Sequence, residues 1–588
     1  VLSALDKTLA AGDIDGALEL FADECYWRDF LSFTWNLKTV EGKAEIRDLL
    51  EHCLDRVQPS DWSVYDTDFA NHADGVTEGF ITFDTPLAGG YGYIRLKDGL
   101  IWTLFTTMVD LKGYEEPDGF TRPLGAKHGD DQGDPTWLEE REAELAELGI
   151  STQPYVLIVG GGQGGIGLAA RLRQHGVPAL IVERNARPGD SWRKRYKSLC
   201  LHDPIWYDHM PYIKFPDNWP VFSPKDKIGD WLEMYTKVME LNYWGNTEAK
   251  SASYDENTKT WTVVVERDGR EITLQPQQLV MATGMSAKPN IPDIAGQDVF
   301  AGVQEHSSEH AGPDSMQGKK VAVIGANNSA HDICAALAEA GVDVTMIQRS
   351  PTHVSRSHSL MKHALGPFYS EEAVAQGITT EKADLMFASI PYAILPGVLQ
   401  ESTATIRAED AEFYRQLEEA GFMHTFGPDD SGLFMLYLRR ASGYYIDVGA
   451  SQLIIDGKIK LASGSEIERL TANSIVLEDG REIPADAIIY ATGYGSMNGF
   501  AADLISQEVA DKVGKCWGIG SDTAKDPGPW EGEQRNMWKP TQQEGLWFHG
   551  GNLAQSRQYS HYVALQLKAR MQGIPTPVYG LQEVHHLS

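Results

Sequence analysis

Apolar and polar residues follow two rhythms along this chain. Short apolar runs, VLIV at 156–159 and VAVI at 321–324, each lead into a glycine-containing turn and then into small and apolar residues at helical spacing. Two other stretches, WTVVVERDGREI at 261–272 and NSIVLEDGREI at 473–483, are β-rich and carry an Asp-Gly turn. The first rhythm predicts buried strands followed by helices, and the second predicts antiparallel ribbons. We therefore expect an α/β fold.

The turn after residue 159 has the spacing Gly160-x-Gly162-x-x-Gly165. In a strand–turn–helix unit, the first glycine permits the tight turn, the second admits a pyrophosphate, and the third lets helix and strand pack closely. The helix, expected over 168–174, offers free N–H groups to phosphates at its N-terminus. Glu183 ends the next predicted strand and can accept hydrogen bonds from a ribose. These features predict a dinucleotide site.

The second turn, GANNSA, is poorer in glycine. Gly325 matches the first glycine, whereas Asn327 and Ala330 replace the second and third, and Ser329 adds a hydroxyl. Asparagine tolerates left-handed backbone better than other non-glycine residues, and alanine is an accepted third residue of this fingerprint. A second dinucleotide site is therefore expected here.

The residues at the end of the following strand bear on the choice of coenzyme. Gln348 stands where the first unit has Glu183, and Arg349 follows it, as Arg184 follows Glu183. A neutral amide does not repel a 2′-phosphate, and an arginine can pair with one. An arginine at a strand end can equally be solvated. With no second basic residue beside it in sequence, we expect NADPH to be used and NADH also to be accepted.

The two halves of the chain end alike. LVMATG closes at Gly284 and IIYATG closes at Gly493, each after one of the polar ribbons. This self-similarity indicates an internal duplication and strengthens both nucleotide predictions. The second half is longer because of a Leu-, Met-, Phe- and Tyr-bearing helical stretch at about 357–440, which is expected to be an insertion near the active site.

Charge and cysteine content exclude several classes of function. The net charge is −32, which disfavours nucleic acid or an anionic membrane as partner. No run approaches the roughly 18 apolar residues of a membrane span. Five scattered cysteines without a CxxC pair favour a reducing cytoplasm and argue against disulfide chemistry and a zinc site, so no metal is predicted.

A further motif, Phe300-Ala-Gly302-Val-Gln-Glu-His306-Ser-Ser-Glu-His310, links the two halves. With two dinucleotide turns and two ATG closures, it resembles the flavin-containing monooxygenases and their Baeyer–Villiger relatives over residues 155–588. Those families carry Tyr, Phe or Trp where this chain has His310. That departure is similar to the type II flavin-containing monooxygenases, which have an extra N-terminal domain.

The resemblance implies an FAD-dependent, NAD(P)H-consuming monooxygenase. Oxygen from O2 would reach a small organic substrate through a flavin C4a-(hydro)peroxide, giving esters or lactones from ketones by Baeyer–Villiger oxidation. N- or S-oxygenation is the alternative, and a flavin reductase without oxygenation is a further one. A non-catalytic protein that senses a ligand is a third class, although the complete first turn argues against it.

The resemblance also implies roles for particular residues. His202 and Asp203, in LHDP, fall beside the isoalloxazine and are candidates for controlling protonation of the activated oxygen. Asn552 begins a helix expected to face the flavin pyrimidine, whereas His306 is expected to orient the linker. The predicted catalytic residues are thus His202, Asp203 and Asn552, and the predicted cofactor contacts are Gly160, Gly162, Gln163, Gly164, Gly165, Glu183, Arg184, Ser191, Trp192, Thr283, Gly284, Gly325, Asn327, Asn328, Ser329, Gln348, Arg349, Ser350, Thr492, Gly493, Gln555 and Ser556.

The N-terminal region is a separate domain. Helical patterns at 2–21 and 43–57 precede alternating strands and resemble an NTF2-like or SnoaL-like α+β cone, whose pocket Trp27, Asp29 and Tyr93 could line. A lid or dimerisation module is the favoured role, and a homodimer is expected. The full layout is this cone at 1–117, a linker and helix at 118–153, an FAD-binding domain at 154–317 and 496–588, and an NAD(P)H-binding domain at 318–495, the last two of Rossmann type.

Overall fold

The computed structural model describes residues 1–66, 71–125, 135–286, 288–523 and 525–584. The Gly- and Asp-rich centre of the predicted linker, residues 126–134, lies outside these ranges. The N-terminal elements are α1 Leu2–Ala10, α2 Ile14–Leu18, β1 Phe21–Phe30, β2 Leu37–Glu41, α3 Gly42–Val57, β3 Ser60–Val64, β4 Asn71–Ala73, β5 Val76–Asp84, β6 Ala88–Lys97 and β7 Leu100–Leu111. The sheet is ordered β2-β1-β7-β6-β5-β3, with β4 paired to β5, and β1 runs parallel to β7.

Two expectations for the N-terminal domain were wrong. The helix predicted over 2–21 is interrupted where Gly12 adopts a left-handed φ of 67° and Asp13 caps α2, and Phe21 already begins β1. The pocket predicted at Trp27, Asp29 and Tyr93 is instead packed core, because all three side chains are buried. The Asp29 carboxylate already accepts hydrogen bonds from the Phe33 and Thr34 N–H groups and from two threonine hydroxyls.

The first dinucleotide half contains a five-stranded parallel sheet among its described residues. Its elements are α4 Trp137–Glu147, β8 Val156–Val159, α5 Gln163–Gln174, β9 Ala179–Val182, α6 Asp190–Arg193, α7 Lys225–Val238, β10 Tyr243–Trp244, β11 Thr247–Asp255, β12 Thr260–Arg267, β13 Arg270–Leu274, β14 Gln278–Met281 and β15 Val303–His306. Strands β11, β12 and β13 form the predicted antiparallel ribbon.

The second half repeats this plan and adds the predicted helical insertion. Its elements are β16 Lys320–Ile324, α8 Asn328–Glu339, β17 Asp343–Gln348, β18 His353–Arg356, α9 Ser357–Leu360, a π-helix Met361–Leu365, α10 Glu371–Ala375, α11 Thr380–Ala388, α12 Leu395–Glu409, α13 Ala411–Glu419, α14 Gly432–Arg440, β19 Tyr444–Asp447, α15 Ala450–Ile455, β20 Lys460–Ser463, β21 Ile467–Leu470, β22 Ser474–Leu477, β23 Glu482–Pro484 and β24 Ala487–Tyr490. The C-terminal elements are α16 Met497–Leu504, α17 Gln507–Val513, β25 Leu546–Phe548 and α18 Leu553–Met571.

The two parallel sheets correspond strand by strand. One is ordered β25-β14-β8-β9-β10 and the other β15-β24-β16-β17-β20. In each, the strand before the glycine turn lies between the ATG strand and the strand that ends at the predicted ribose position. This shared order supports the internal duplication. Strand β15, placed by sequence in the first half, pairs with β24 and so belongs to the second sheet.

The N-terminal domain packs against its own chain. Arg28 forms a buried ion pair with Glu533 at 2.7 Å. The ring of Phe30 meets the rings of Tyr559 and Tyr562 on α18, with centroids 5.8 and 5.0 Å apart. The domain is therefore joined to the helix that begins at the predicted flavin site.

Candidate active site

The three glycines of the first turn serve different purposes. Gly160 is left-handed, with φ of 112°, and a Cβ there would lie 2.3 Å from the Ala282 carbonyl oxygen. A Cβ on Gly165 would lie 2.0 Å from the carbonyl oxygen of Gly160, so helix and strand pack as predicted. Gly162 is extended, and the nearest atom to a Cβ there is Ser191 Oγ at 3.7 Å. Its missing side chain therefore leaves space in front of the α5 N-terminus, which suits a pyrophosphate.

Glu183 lies at the end of β9 and closes this turn. Its carboxylate accepts hydrogen bonds from the Gly161 N–H at 2.7 Å and from the backbone and side chain of Asn185. Arg184, the next residue, is exposed. Contact of Glu183 with a ribose remains a prediction, and the observed bonds hold the carboxylate beside the phosphate-binding turn.

Other predicted FAD contacts converge on the same turn. Gln163 accepts a hydrogen bond from Trp192 Nε1 and donates one to the Gly551 carbonyl, both at 3.2 Å. A Cβ on Gly164 would lie 3.2 Å from Gly550 Cα, so this glycine lets the loop before α18 approach. The first turn, the Ser191–Trp192 segment and the loop after β25 thus surround one site.

Two buried hydroxyls at this site have no hydrogen-bond partner in the protein. They are Thr283 Oγ1, in the first ATG closure beside the left-handed Gly284, and Ser556 Oγ, in the first turn of α18. Buried polar groups are almost always satisfied. Together with the open space at Gly162, these orphaned groups fit a dinucleotide that would supply their partners.

Asn552 and Gln555 shape the start of α18. Asn552 Oδ1 accepts from the Gln555 N–H at 2.9 Å, and the Gln555 side chain turns back to the Asn552 N–H in a capping box. Their side chains also meet two tyrosines: Asn552 Nδ2 donates to Tyr207 Oη at 3.1 Å, and Tyr437 Oη donates to Gln555 Oε1 at 2.5 Å.

The second turn reproduces the first without its second glycine. Gly325 has φ of 129°, and a Cβ on it would lie 2.3 Å from the Ala491 carbonyl oxygen, as Gly160 does with Ala282. Asn327 is extended, with φ of −100°, so the predicted need for left-handed tolerance at this position was wrong. The Asn328 side chain accepts from the Ile446 N–H at 3.0 Å. Asn328 therefore anchors β19 as well as opening α8.

The predicted contacts at the second ATG closure bind the linker. Thr492 Oγ1 donates to the Asn290 carbonyl at 2.5 Å. His306 Nε2 donates to the Gly493 carbonyl at 3.0 Å, while its Nδ1 accepts from Ser308. Burial lowers the pKa of His306, which keeps it neutral. These contacts support the predicted orienting role of His306.

Gln348 does not face the ribose position. It is fully buried, and its amide donates to the Met423 carbonyl at 2.9 Å and accepts from the Met423 N–H at 2.8 Å. The glutamine side chain is long enough to reach the backbone of Met423, and its amide supplies both the donor and the acceptor that this backbone requires. The prediction that Gln348 contacts the ribose was therefore wrong. Gln348 still places no negative charge beside the site, as predicted.

Arg349 and Ser350 are exposed just beyond Gln348, and Arg349 is accompanied by other cations. Burial and the positive charges of Arg440 and Arg349 lower the pKa of Lys525. No second basic residue adjoins Arg349 in sequence, but the fold brings Lys525 from a distant segment within range of its charge. Arg349 and Arg440 thus both lie near Lys525, and such a concentration of positive charge favours an anionic ligand.

His202 lies between the two halves and contacts α8, and its catalytic role stays a prediction. Its Nε2 is 3.5 Å from a carboxylate oxygen of Asp332 on α8, and the same oxygen accepts from the Tyr196 hydroxyl at 2.8 Å. Burial lowers the pKa of His202, but the hydrogen bond and charge of Asp332 outweigh it and raise the pKa overall. His202 therefore has the geometry of an interdomain contact. Ser329, in the second turn, lies beside Tyr196.

Asp203 lies near a group of tyrosines that the sequence pattern does not reveal. Its negative charge raises the pKa values of Tyr207, Tyr437 and Tyr444, in addition to the larger effect of burial. Burial raises the pKa of Asp203 itself to about 6, opposed by His202. All four side chains are partly buried, and the ring centroids of Tyr437 and Tyr444 lie 6.4 Å apart. Only Tyr207, four residues after Asp203, had a nearby signal in the sequence.

Metal and disulfide chemistry gain no support from the described residues. The five cysteines are unpaired, and no group of three or more His, Cys, Asp or Glu side chains within the described ranges is arranged to hold a metal ion. No helix in those ranges is long and apolar enough to cross a membrane.

Comparison with known proteins gives consistent results. A family model described as pyridine nucleotide-disulphide oxidoreductase matches residues 157–394. Indole-3-pyruvate monooxygenase YUCCA1 of Oryza sativa subsp. japonica is 29% identical over 367 residues, covering 61% of this chain and 82% of that protein. Probable indole-3-pyruvate monooxygenase YUCCA10 of Arabidopsis thaliana is 30% identical over 344 residues, covering 58% and 82%. A solved structure of cyclohexanone monooxygenase with ε-caprolactone has a TM-score of 0.51 at 18% identity, covering 71% of this chain and 88% of that one, which shows a shared fold.

Proposed function

This chain belongs to the flavin-dependent monooxygenases, which use FAD and NADPH, and we propose that within this class it oxidises a ketone to an ester or lactone. FAD held at the first turn and reduced by NADPH would supply the activation of O2, with one oxygen atom entering the substrate and the other leaving as water. The observation that carries the proposal is the group formed by Asp203, Tyr207, Tyr437 and Tyr444 beside the N-terminus of α18.

The two turns divide the cofactors between them. The first turn would hold FAD, because Gly162 leaves space for it and the hydroxyls of Thr283 and Ser556 lack hydrogen-bond partners in the protein. The second, with three cations beyond β17, would hold NADPH by its 2′-phosphate. Because Arg440 and Lys525 add to Arg349, the preference for NADPH over NADH should be stronger than sequence alone predicted, with NADH still accepted at lower affinity.

Asp203 supports chemistry at a carbonyl carbon. Attack on a ketone requires the activated oxygen to be deprotonated, whereas transfer to nitrogen or sulfur requires it to be protonated. A carboxyl with a pKa near 6 is mostly ionised at neutral pH and can accept a proton. The neighbouring tyrosine hydroxyls have raised pKa values, so they stay protonated and can donate hydrogen bonds to a carbonyl oxygen.

A second candidate is oxidation of a 2-oxo acid at its ketone carbon. It is favoured by the names of the relatives, which are indole-3-pyruvate monooxygenases. The same attack on a carbonyl carbon would serve this reaction. However, the carboxylate of such a substrate would meet the negative charge of Asp203, so we rank a neutral ketone first.

A matched substrate panel separates these reactions. An aryl ketone, the 2-oxo acid with the same aryl group, an aryl sulfide and a tertiary amine are each incubated with enzyme, NADPH and air, and the products are identified by mass spectrometry. We expect an ester from the ketone, and a lower rate for it in Asp203→Asn with sulfide oxidation retained. Oxidation of the sulfide or amine but never the ketone would refute the proposal, and turnover of the 2-oxo acid alone would establish the second candidate.

The predictions of a homodimer and a cytoplasmic location remain predictions. The strong negative charge supports a small-molecule substrate over nucleic acid. The NTF2-like character of the N-terminal domain and its role as a lid or dimerisation module likewise stay predictions.

A further inference from the structure

The C-terminus of α11, in the insertion, is held by two arginines of the N-terminal domain. Arg28 Nη1 donates to the carbonyls of Ala388 at 2.6 Å and Ile390 at 3.1 Å. Arg95 donates to the Ser389 carbonyl at 3.2 Å and to its hydroxyl at 2.9 Å. The last carbonyls of a helix have no intrahelical partner and carry partial negative charge, so cations there are favourable.

Both arginines are themselves fixed. Arg28 is 1% exposed and makes a two-pronged pair with Glu533, with both hydrogen bonds at 2.7 Å. Arg95 is 9% exposed and pairs with Glu78 at 3.0 Å. Their planar guanidinium groups can satisfy a carboxylate and a helix end together, which a lysine cannot do.

The middle of α11 is tied to the active-site loop. Asp384 pairs with Arg557 of α18 through hydrogen bonds of 2.7 and 2.9 Å. Arg557 in turn donates to the carbonyls of Tyr207 at 2.6 Å and His209 at 2.9 Å. This loop carries Asp203 and Tyr207, so one set of buried polar contacts links the N-terminal domain to the proposed site.

We propose that the N-terminal domain positions the active-site loop of its own chain. Arg28 and Arg95 fix the end of α11, and the Asp384–Arg557 pair transmits that position to residues 203–209. The effect on turnover rests on the proposed function, whereas the effect on loop order does not. A loop that opens would admit water beside bound FAD, so that electrons from NADPH would reduce O2 to hydrogen peroxide without oxygenation of the substrate.

Two mild variants test this without removing a buried charge. Arg95→Lys keeps the positive charge beside Glu78 but loses the forked donor, and Ser389→Ala removes the hydroxyl that accepts from Arg95, together with its own hydrogen bond to the Met386 carbonyl. Arg47→Ala is the control, because Arg47 is an exposed arginine of the same domain paired with Asp15. Asp384→Asn tests the second step, because it weakens the Arg557 pair and leaves the contacts of Ala388, Ser389 and Ile390 in place.

Two measurements are made on FAD-loaded protein. Hydrogen exchange should become several-fold faster in peptides covering 203–209 for Arg95→Lys, Ser389→Ala and Asp384→Asn, with the 380–390 peptide also faster in the first two. The fraction of NADPH electrons recovered as peroxide should rise in the same three variants and not in Arg47→Ala. If all three bind FAD, and if exchange at 203–209 matches wild type, the positioning role is wrong. If exchange rises but no oxygenated product forms even in wild type, the proposed function fails and the positioning role stands.

Discussion

Arg349→Ala tests the coenzyme site most sharply. The side chain is exposed at the end of β17, where its charge contributes to the lowered pKa of Lys525. A hydrogen bond to a charged group contributes about 1.5–3 kcal/mol. Because Arg349 is solvent-accessible and Arg440 and Lys525 remain, the lower end applies. At about 1.4 kcal/mol per factor of ten, the Kd for NADP⁺ should rise roughly tenfold.

The matched comparisons isolate the phosphate. NAD⁺ lacks the 2′-phosphate, so its Kd should be nearly unchanged. Adding Lys525→Ala should raise the Kd for NADP⁺ to roughly a hundredfold above wild type if the two contacts add. Arg349→Lys should recover part of the loss. Arg469→Ala, an exposed arginine of the same half that pairs with Glu468, should change neither coenzyme.

The assay is calorimetric titration of FAD-loaded enzyme with each oxidised coenzyme, followed by KM values for NADPH and NADH. Equal weakening of NADP⁺ and NAD⁺ by Arg349→Ala would show that Arg349 does not contact the 2′-phosphate. An unchanged Kd in the double variant would show that the three cations do not form the phosphate site.

Three further changes have defined outcomes. Gly162→Val should yield folded but colourless protein, because the valine side chain fits the free space that FAD would occupy. Gly165→Ala should instead destabilise the fold by about 1–3 kcal/mol through its clash with Gly160. Absorbance at 450 nm and thermal melting distinguish the two variants, and a yellow Gly162→Val protein would contradict the first expectation. Burial raises the pKa of Asp203 from 3.8 to about 6, so its ionised form lowers stability as pH rises through that range. Asp203→Asn should therefore melt higher than wild type at pH 8 but not at pH 4, and a constant difference would argue against the shift. Arg28→Met leaves Glu533 buried without its cation and should cost about 3–5 kcal/mol; a melting temperature equal to wild type would show that the interface is not as packed as described.

The glycine turns could be predicted from sequence because their demands are local. Gly160 and Gly325 each need a left-handed backbone and a close neighbouring carbonyl, and only glycine meets both. The ribbons and the insertion followed from periodicity. Asn327 was misjudged because the middle position of this turn is extended, so its glycine is needed for ligand space and not for backbone freedom.

The parts of the site that could not be predicted from sequence depend on contacts between residues far apart in the chain. Tyr437 and Arg440 belong to α14, and Lys525 lies in the C-terminal segment, more than 80 residues from Arg349 and Asp203 in each case. Nothing in their local sequence distinguishes them from other helix or loop residues. His202 and Asp203 are adjacent yet contact different partners, because one points towards α8 and the other towards the tyrosines.

The central claim is that this chain uses FAD and NADPH to place one oxygen atom of O2 in an organic substrate. Turnover under ¹⁸O2 with an aryl ketone, with NADPH, oxygen and product counted together, tests it most directly. We expect equal consumption of NADPH and O2, one ¹⁸O atom in each ester molecule, and little peroxide. If every ketone, 2-oxo acid, sulfide and amine tried gives only hydrogen peroxide and no labelled product, the claim is wrong.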